Sequence, residues 1–533
     1  MIPLTIWAVK PTDPLILTIC LVGSWLLCHR IYNRYFHPLA HVPGPFFGRM
    51  SPWPSVYHAR RGDRHLWLEH CFHKYGNKIR VEPNTVLFRS PTASRDIYGS
   101  KANVRRADFY DGLMRREEDR NTITTTDNAA HEKRRKLLNL AFTEKSLRAA
   151  GAFMQKHIDR WNELLVSDSG DDWSEPRNFS DWANYLVFDI LGDICYGRSF
   201  EIKEPGENAV RAIPRAIVKT MKFIYPITKT PFLSVISYLR PRGLSTVFQA
   251  IRSPPIKIYD EFVESSVKER LEREKAPNTS GTTREDMFHF LCNAKNPDTN
   301  LPAFSDPELF AEARLLLIAG SDSTSVTMCG LFFYLAHYQN VLDKLRKEVT
   351  DTFSSADDVM PGQKLSSCKY LRACIDEALR MAPAGLCELP RQVLSGGMTI
   401  DGEHFPEGVV VGTAAWTDGH NEEVYGDADV FRPERWMPDQ SNSAEEVSRI
   451  KTTFHPFSLG PFNCAGTNFA LQELMLMVAK TVHRLEFRLA PGYAEGEGAR
   501  HKKVVGEREI PQFQLEDAFI TVREGPILQF RRR

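Results

Sequence analysis

The segment from Ser305 to Tyr338 constrains the fold more than any other part of the chain. It opens with Ser305-Asp-Pro-Glu308, a capping-box pattern with proline near the first helical position and a glutamate that reaches back to free backbone N–H groups. The run AEARLLLIAGSDSTSVTMCGLFFYLAHY follows, with apolar residues on both sides of a polar island. Such a helix buries most of its circumference, so it is expected to cross the centre of the protein and not to lie on its surface.

The rest of the chain can supply the body around such a helix. Its 533 residues are 42% hydrophobic and 25% charged, the balance of a globular protein with a large core. The 68 basic and 67 acidic residues leave no global field for nucleic acid, and no basic run is interleaved with aromatics. Most segments carry helical periodicity. A small hairpin is expected from residues 78–81 and 85–88 around Glu82-Pro-Asn84, and a second β unit from 398–400, the Asp401-Gly402 turn and 409–411. No internal repeat, low-complexity tract or linker divides residues 46–533, which read as one large domain, mainly α with small β sheets.

Residues 15–28, LILTICLVGSWLLC, carry no charge, and His29, Arg30 and Arg34 follow at once, whereas only Lys10 precedes. A cleavable signal places its positive charges first, so residues 1–36 read as a retained membrane anchor with the body on the cytosolic side. The apolar core is shorter than the roughly 20 residues of a full span, and Tyr32, Tyr35 and Phe36 extend it toward the interface. Three prolines and a glycine in residues 37–45 predict a stiff, extended hinge. On this reading the sequons at Asn178 and Asn278 stay unglycosylated.

The ten cysteines are scattered, without a C-x-x-C pair, which argues against a zinc site or a disulfide framework. A free cysteine is by default a small buried hydrophobe. Cys464 differs by its setting in Phe457-Ser-Leu-Gly460-Pro-Phe-Asn-Cys464-Ala-Gly466, a tight loop leading directly into the helical run TNFALQELMLMVAKTVHRL. Backbone N–H groups and the helix dipole there favour a thiolate, the form that binds metal. Glu377-Ala-Leu-Arg380 puts a glutamate and an arginine on one helical face, and Phe431-Arg-Pro-Glu-Arg435-Trp436 follows downstream.

Taken together these three motifs resemble, in order and separation, those of the cytochrome P-450 superfamily. The chain resembles its fungal microsomal members of secondary metabolism. The resemblance implies a triangular helical prism around the long central helix. Haem b lies against it, with the Cys464 thiolate as axial ligand and Phe457, Gly460 and Gly466 shaping the loop. Glu377, Arg380 and Arg435 become a structural network. Ala319-Gly-Ser-Asp-Ser-Thr324 resembles the oxygen-activating motif: Ala319 and Gly320 border the cofactor, Gly320 sparing a side chain beside the oxygen site, while Asp322, Ser323 and Thr324 assist proton delivery. The alternative for this island is a helix kink with hydroxyls bonded back to carbonyls. His131, Arg135 and Arg391 match family contacts to the haem propionates. Two positions depart from the pattern: Phe462 stands where a basic residue is usual, and Ser323 where threonine is.

The resemblance further implies an O2-dependent monooxygenase that hydroxylates, epoxidises or otherwise oxidises a lipophilic small molecule at the endoplasmic-reticulum membrane. No dinucleotide fingerprint in strand-helix context is evident, so electrons are expected from NADPH through a separate cytochrome P-450 reductase, with cytochrome b5 as an optional second donor. Lys133 and Arg134 are candidate docking contacts. Residues 104–128, 384–389 and those around Phe519 are expected to line the pocket without specifying a molecule. The alternatives are a rearrangement without net oxygen insertion and a haem-binding sensor without turnover.

Overall fold

A computed structural model describes residues 14–533 except 115, 171, 276–285, 296–299, 441, 495, 497–502 and 506–507. The sequon at Asn278 and the first 13 residues of the expected anchor therefore lie outside the described residues. The largest sheet has five strands: β1 (Lys78–Glu82), β2 (Thr85–Phe88), β3 (Val104–Arg106), β4 (Arg391–Val393) and β5 (Val410–Thr413), in the order β1-β2-β5-β4-β3. The β1–β2 hairpin is the expected one. All four residues of β2 are buried, and β5 lies parallel beside it. Met398–Ile400 instead pairs with Glu403–Phe405 across Asp401 and Gly402, both at positive φ, which leaves the 409–411 run free to join the main sheet.

Helix α1 (Pro14–Tyr35) has 22 residues, its apolar side chains are exposed, and an 18-residue window has mean hydropathy 1.7. At about 1.5 Å per residue it reaches roughly 33 Å, comparable to a bilayer's hydrocarbon core. The following segment departs from the expected extended hinge. Residues 37–42 fold into turns, with Ala40 N–H donating to His37 O and Val42 N–H to Leu39 O. Leu39 and Val42 are buried against the sheet, and only Pro43–Pro45 run extended, where Arg80 N–H donates to Pro43 O at 2.7 Å. Burial of two apolar side chains outweighs the proline preference for a free spacer. The Asn178 side chain accepts from Ser180 N–H and Gly525 N–H, so this sequon serves as a helix cap.

The remaining elements that position the site are α2 (Asn128–Leu138), α3 (Phe179–Tyr196), α4 (Asp306–His337), α5 (Lys369–Met381), α6 (Thr467–Arg484) and the C-terminal hairpin β6 (Leu515–Ala518) with β7 (Ile520–Arg523). The capping box at Ser305 and Glu308 starts α4, which crosses the body for 32 residues and packs most extensively on α3. The stacked rings of Phe179 and Phe332, 4.5 Å apart, mark that seam. α6 and α5 both pack on α4, which brings the three motif-bearing segments together.

Glu377 in α5 is fully buried between Arg380 and Arg435, which are buried as well. Its Oε1 accepts from Arg380 Nη2 at 2.8 Å, Arg435 Nε at 2.9 Å and Arg432 N–H at 2.9 Å, and its Oε2 from Arg380 Nε at 3.0 Å and Trp436 Nε1 at 2.9 Å. The arginines extend the network to backbone carbonyls: Arg380 to Gly419 and Ala428, Arg435 to Gly426 and Val430. Burial pushes the Glu377 carboxyl up, but Arg380 and Arg435 outweigh it and hold it down at about 2.

A depressed folded-state pKa means that the Glu377 contribution is fully present above the ordinary carboxylate range and is lost as pH falls toward about 2. Glu377→Ala leaves two buried guanidiniums unpaired and is expected to cost about 3–5 kcal/mol in denaturant unfolding at neutral pH. A loss under about 1 kcal/mol contradicts this role.

Candidate functional site

The loop before α6 owes its shape to Gly460, which lies at φ +61°, where a side chain is strained. A Cβ there would stand 2.3 Å from Tyr98 O and 2.9 Å from the Gly99 carbonyl carbon, so the loop presses on backbone. Cys464 N–H donates to Phe457 O at 2.9 Å, closing the turn, and the half-buried Phe457 ring packs against the main core. Gly466 begins the turn into α6, and a Cβ there would meet only Phe142 at 3.6 Å and Cys464 Sγ at 4.0 Å. Those are ordinary contacts, so sterics alone do not demand glycine at 466.

Cys464 is solvent-accessible, yet it is surrounded deeply enough that burial pushes its thiol up. The Gly466 N–H, Arg135 and the Thr467 hydroxyl oppose the upward shift without cancelling it, contrary to the expectation that the loop alone favours thiolate. Burial is the stronger effect, and a bound cation is what would displace the proton.

Phe462 sits between two arginines and a histidine ring. Arg106 and Arg391 lie over its face at 4.9 and 4.8 Å, and the His131 ring is 4.5 Å away. Arg135 donates to Asn463 Oδ1 at 2.7 Å and to the Asn463 carbonyl, gripping the cysteine loop itself. Arg106 is the member that sequence reasoning missed. It lies in β3 directly opposite Arg391 in β4, so the register stacks two like charges, which is normally destabilising. Arg391 donates to Tyr110 Oη at 3.1 Å, and Arg106 to the Thr122 carbonyl.

Among the described residues, none of Arg106, Arg135 and Arg391 makes an ion pair with a carboxylate, and Arg106 Nε, Arg391 Nε and His131 Nε2 are buried without hydrogen-bond partners. Burial first, then Arg391 and Arg135, brings the Arg106 guanidinium down to about 10. Burial, Arg106, Arg135 and Arg391 bring His131 down to about 3, so it is neutral. A cofactor bearing two carboxylates beside the cysteine, as haem does, supplies the partners this donor set lacks. The residues fit the group.

The polar island of α4 is divided. Ala319 is exposed and Ser323 half-exposed, four residues apart on one face of an otherwise largely buried helix. The Ser323 hydroxyl donates to Ala319 O at 2.7 Å, the back-bonded arrangement named above as the alternative. Thr324 is buried away from that face. A Cβ on Gly320 would meet the flexible tip of Leu191 at Cδ1, 2.9 Å away, so this glycine also gives α3 a close approach. Asp322 pairs with Arg523 of β7 at 2.6 Å. Arg134 is likewise committed, to Glu308 at 3.1 Å and Glu312 at 3.3 Å, so it is not free to dock a partner, whereas Lys133 is exposed.

A family model described as cytochrome P-450 matches residues 40–504. The chain is 32% identical to the cytochrome P-450 monooxygenase poxM of Penicillium oxalicum over 94% of its own length and 92% of that protein's. It is 31% identical to the cytochrome P-450 monooxygenase fscF of Fusarium equiseti, covering 96% of this chain and 95% of the other. A third such monooxygenase, from Alternaria alternata, is 32% identical with 96% of both chains covered.

Gly460→Ala combines a left-handed backbone with a clash against fixed backbone, and is expected to destabilise by at least about 2 kcal/mol in thermal or denaturant unfolding. Unchanged stability contradicts the tight-loop geometry.

Proposed function

The chain belongs to the cytochrome P-450 family and is a haem-dependent monooxygenase; from that premise we propose that Cys464 is its thiolate ligand and that its substrate is a lipophilic small molecule of fungal secondary metabolism. The observation that carries the site assignment is the cluster beside the Cys464 loop: buried Arg106 and Arg391 and neutral His131 packed on Phe462, with Arg135 holding Asn463 and none of the three arginines ion-paired to a carboxylate among the described residues. Arg106, Arg391 and neutral His131 would donate to the two propionates. Arg135 has a second duty, since it holds Asn463 and so orients the cysteine. When bound, the haem supplies the reductive activation of O2, favoured by thiolate donation, and the insertion of one oxygen atom into the substrate.

The protein's own contribution is placement and proton supply. The Ala319–Ser323 face of α4, the more open side of that helix, would border the bound cofactor, with Asp322 and Ser323 as the proton-handling groups and Thr324 supporting them. Phe109, Tyr110 and Phe519 pack together at ring distances of 5.0 to 6.1 Å and form an aromatic wall that suits an apolar substrate. Electrons come from NADPH through a separate reductase, with cytochrome b5 as an optional second donor and exposed Lys133 on the docking face. α1 anchors the protein to the endoplasmic-reticulum membrane with the body in the cytosol. Exposed Phe46, Phe47, Trp53 and Tyr57, with Phe232 6.3 Å from Trp53, extend its apolar surface and support contact with lipid. Residues 1–36, 37–45 and 46–533 then act as anchor, membrane-proximal joint and catalytic domain.

Reductase-supplemented membranes incubated with candidate lipophilic metabolites are expected to give an NADPH-dependent product heavier by one oxygen atom. A product isomeric with its substrate, formed without NADPH, contradicts oxygen insertion and supports rearrangement. Separately, Arg106→Leu is expected to lower the haem retained after purification at least several-fold, and adding Phe462→Arg to restore it by returning a cation to the cradle. Full haem occupancy in Arg106→Leu contradicts the cradle.

A further inference from the structure

Asp322 is the one charged residue between Arg314 and His337 in the long central helix. A lone charge in such a helix needs a partner, and the partner comes from 201 positions further along the chain. Arg523 Nη1 donates to Asp322 Oδ1 at 2.6 Å, while Arg523 Nη2 donates to Asn184 Oδ1 of α3 at 2.7 Å and to the Ser325 hydroxyl. The Ser325 hydroxyl in turn donates to Asn184 Oδ1 at 2.8 Å. The C-terminal hairpin, α3 and α4 therefore meet at one guanidinium, whose side chain is only 2% exposed. A buried ion pair is a weak source of stability compared with apolar packing, so its presence in this seam calls for another role.

We propose that Arg523 is a positioning residue for proton delivery: it holds the Asp322 carboxylate at a fixed point on α4 and sets the pH range in which that group passes protons. This rests on the reading of Asp322 as a proton-handling group. Arg523 engages Oδ1, so Oδ2 is the oxygen that takes up a proton from solvent and releases it toward the Ala319–Ser323 face, restoring the carboxylate after each transfer. Burial pushes the Asp322 carboxyl up, and Arg523 restrains that rise. Among the described residues the other groups at this junction are uncharged: Asn184 from α3, and from α4 Ser325 and Cys329, whose thiol burial pushes up to about 11. The next acid, Asp181 on α3, is tied to Arg215 at 2.6 Å.

The test needs no natural substrate. With reductase and NADPH alone, O2 is reduced either to hydrogen peroxide, using one NADPH and one proton, or to two waters, using two NADPH and two protons. The rate of NADPH oxidation and its pH profile are measured on haem-replete full-length protein with reductase in excess. Arg523→Gln removes the restraint, so the acidic half-maximum is expected to move up by about one pH unit, a tenfold change in proton affinity, with a several-fold lower rate at neutral pH. Arg523→Lys keeps the charge and is expected to restore most of the profile, which a purely structural role does not predict. Should Arg523→Gln not retain haem, Asn184→Asp adds a carboxylate that competes for Arg523 and is expected to move the profile in the same direction. Asp322→Asn separates the two ideas. If it leaves rate and profile unchanged, the proton-handling reading of Asp322 fails and the proposal with it. If it impairs turnover while Arg523→Gln or Asn184→Asp superposes on wild type, the assignment of Arg523 alone is overturned.

Discussion

A carboxylate with no exposure costs several kcal/mol to desolvate, and Glu377 is tolerated only because Arg380, Arg435, Trp436 and the Arg432 backbone all donate to it. Those donors belong to α5 and to the segment ending in the Pro433–Trp436 turn, and the guanidiniums pass the constraint on to the carbonyls of Gly419, Gly426, Ala428 and Val430. A stretch with little regular structure is thereby fixed against α5. The chain can then reach Phe457 from a defined point, and Gly460 can press against Tyr98 to set the cysteine.

Two electrostatic arrangements sit on this frame, and they differ in kind. Around Phe462 the cations outnumber their partners: Arg106 and Arg391 face each other across two strands, and His131 is held neutral near them. Such an excess is stable only with anionic partners supplied from outside the chain, as the two carboxylates of haem would be. At Asp322 the charges are matched within the chain, by Arg523. The first arrangement suits retention of a dianionic group, and the second suits control of a single proton.

Much of this was legible in the sequence because it is local. The capping box at Ser305, the spacing of Glu377 and Arg380, and the glycine-shaped loop before Cys464 are all read within a few residues and take the expected form. What escaped depends on tertiary register. Nothing near Arg106 announces that β3 will place it opposite Arg391, although its Val-Arg-Arg strand pattern offered the only hint. The Asp322 partner lies in a hairpin close to the C-terminus, and the close neighbour of Gly320 is Leu191 on another helix. The segment after α1 folds against the sheet because Leu39 and Val42 find a core to enter, a tertiary contact that its proline content does not reveal.

Cys464 as the iron ligand is the claim on which the site assignment turns, and the reduced, CO-bound absorption spectrum tests it most directly. Wild-type protein is expected to show a thiolate-type Soret band, and Cys464→Ala to lose that band whether or not it still holds haem. A thiolate-type band that survives in Cys464→Ala, or one that is absent from haem-replete wild type, contradicts the account.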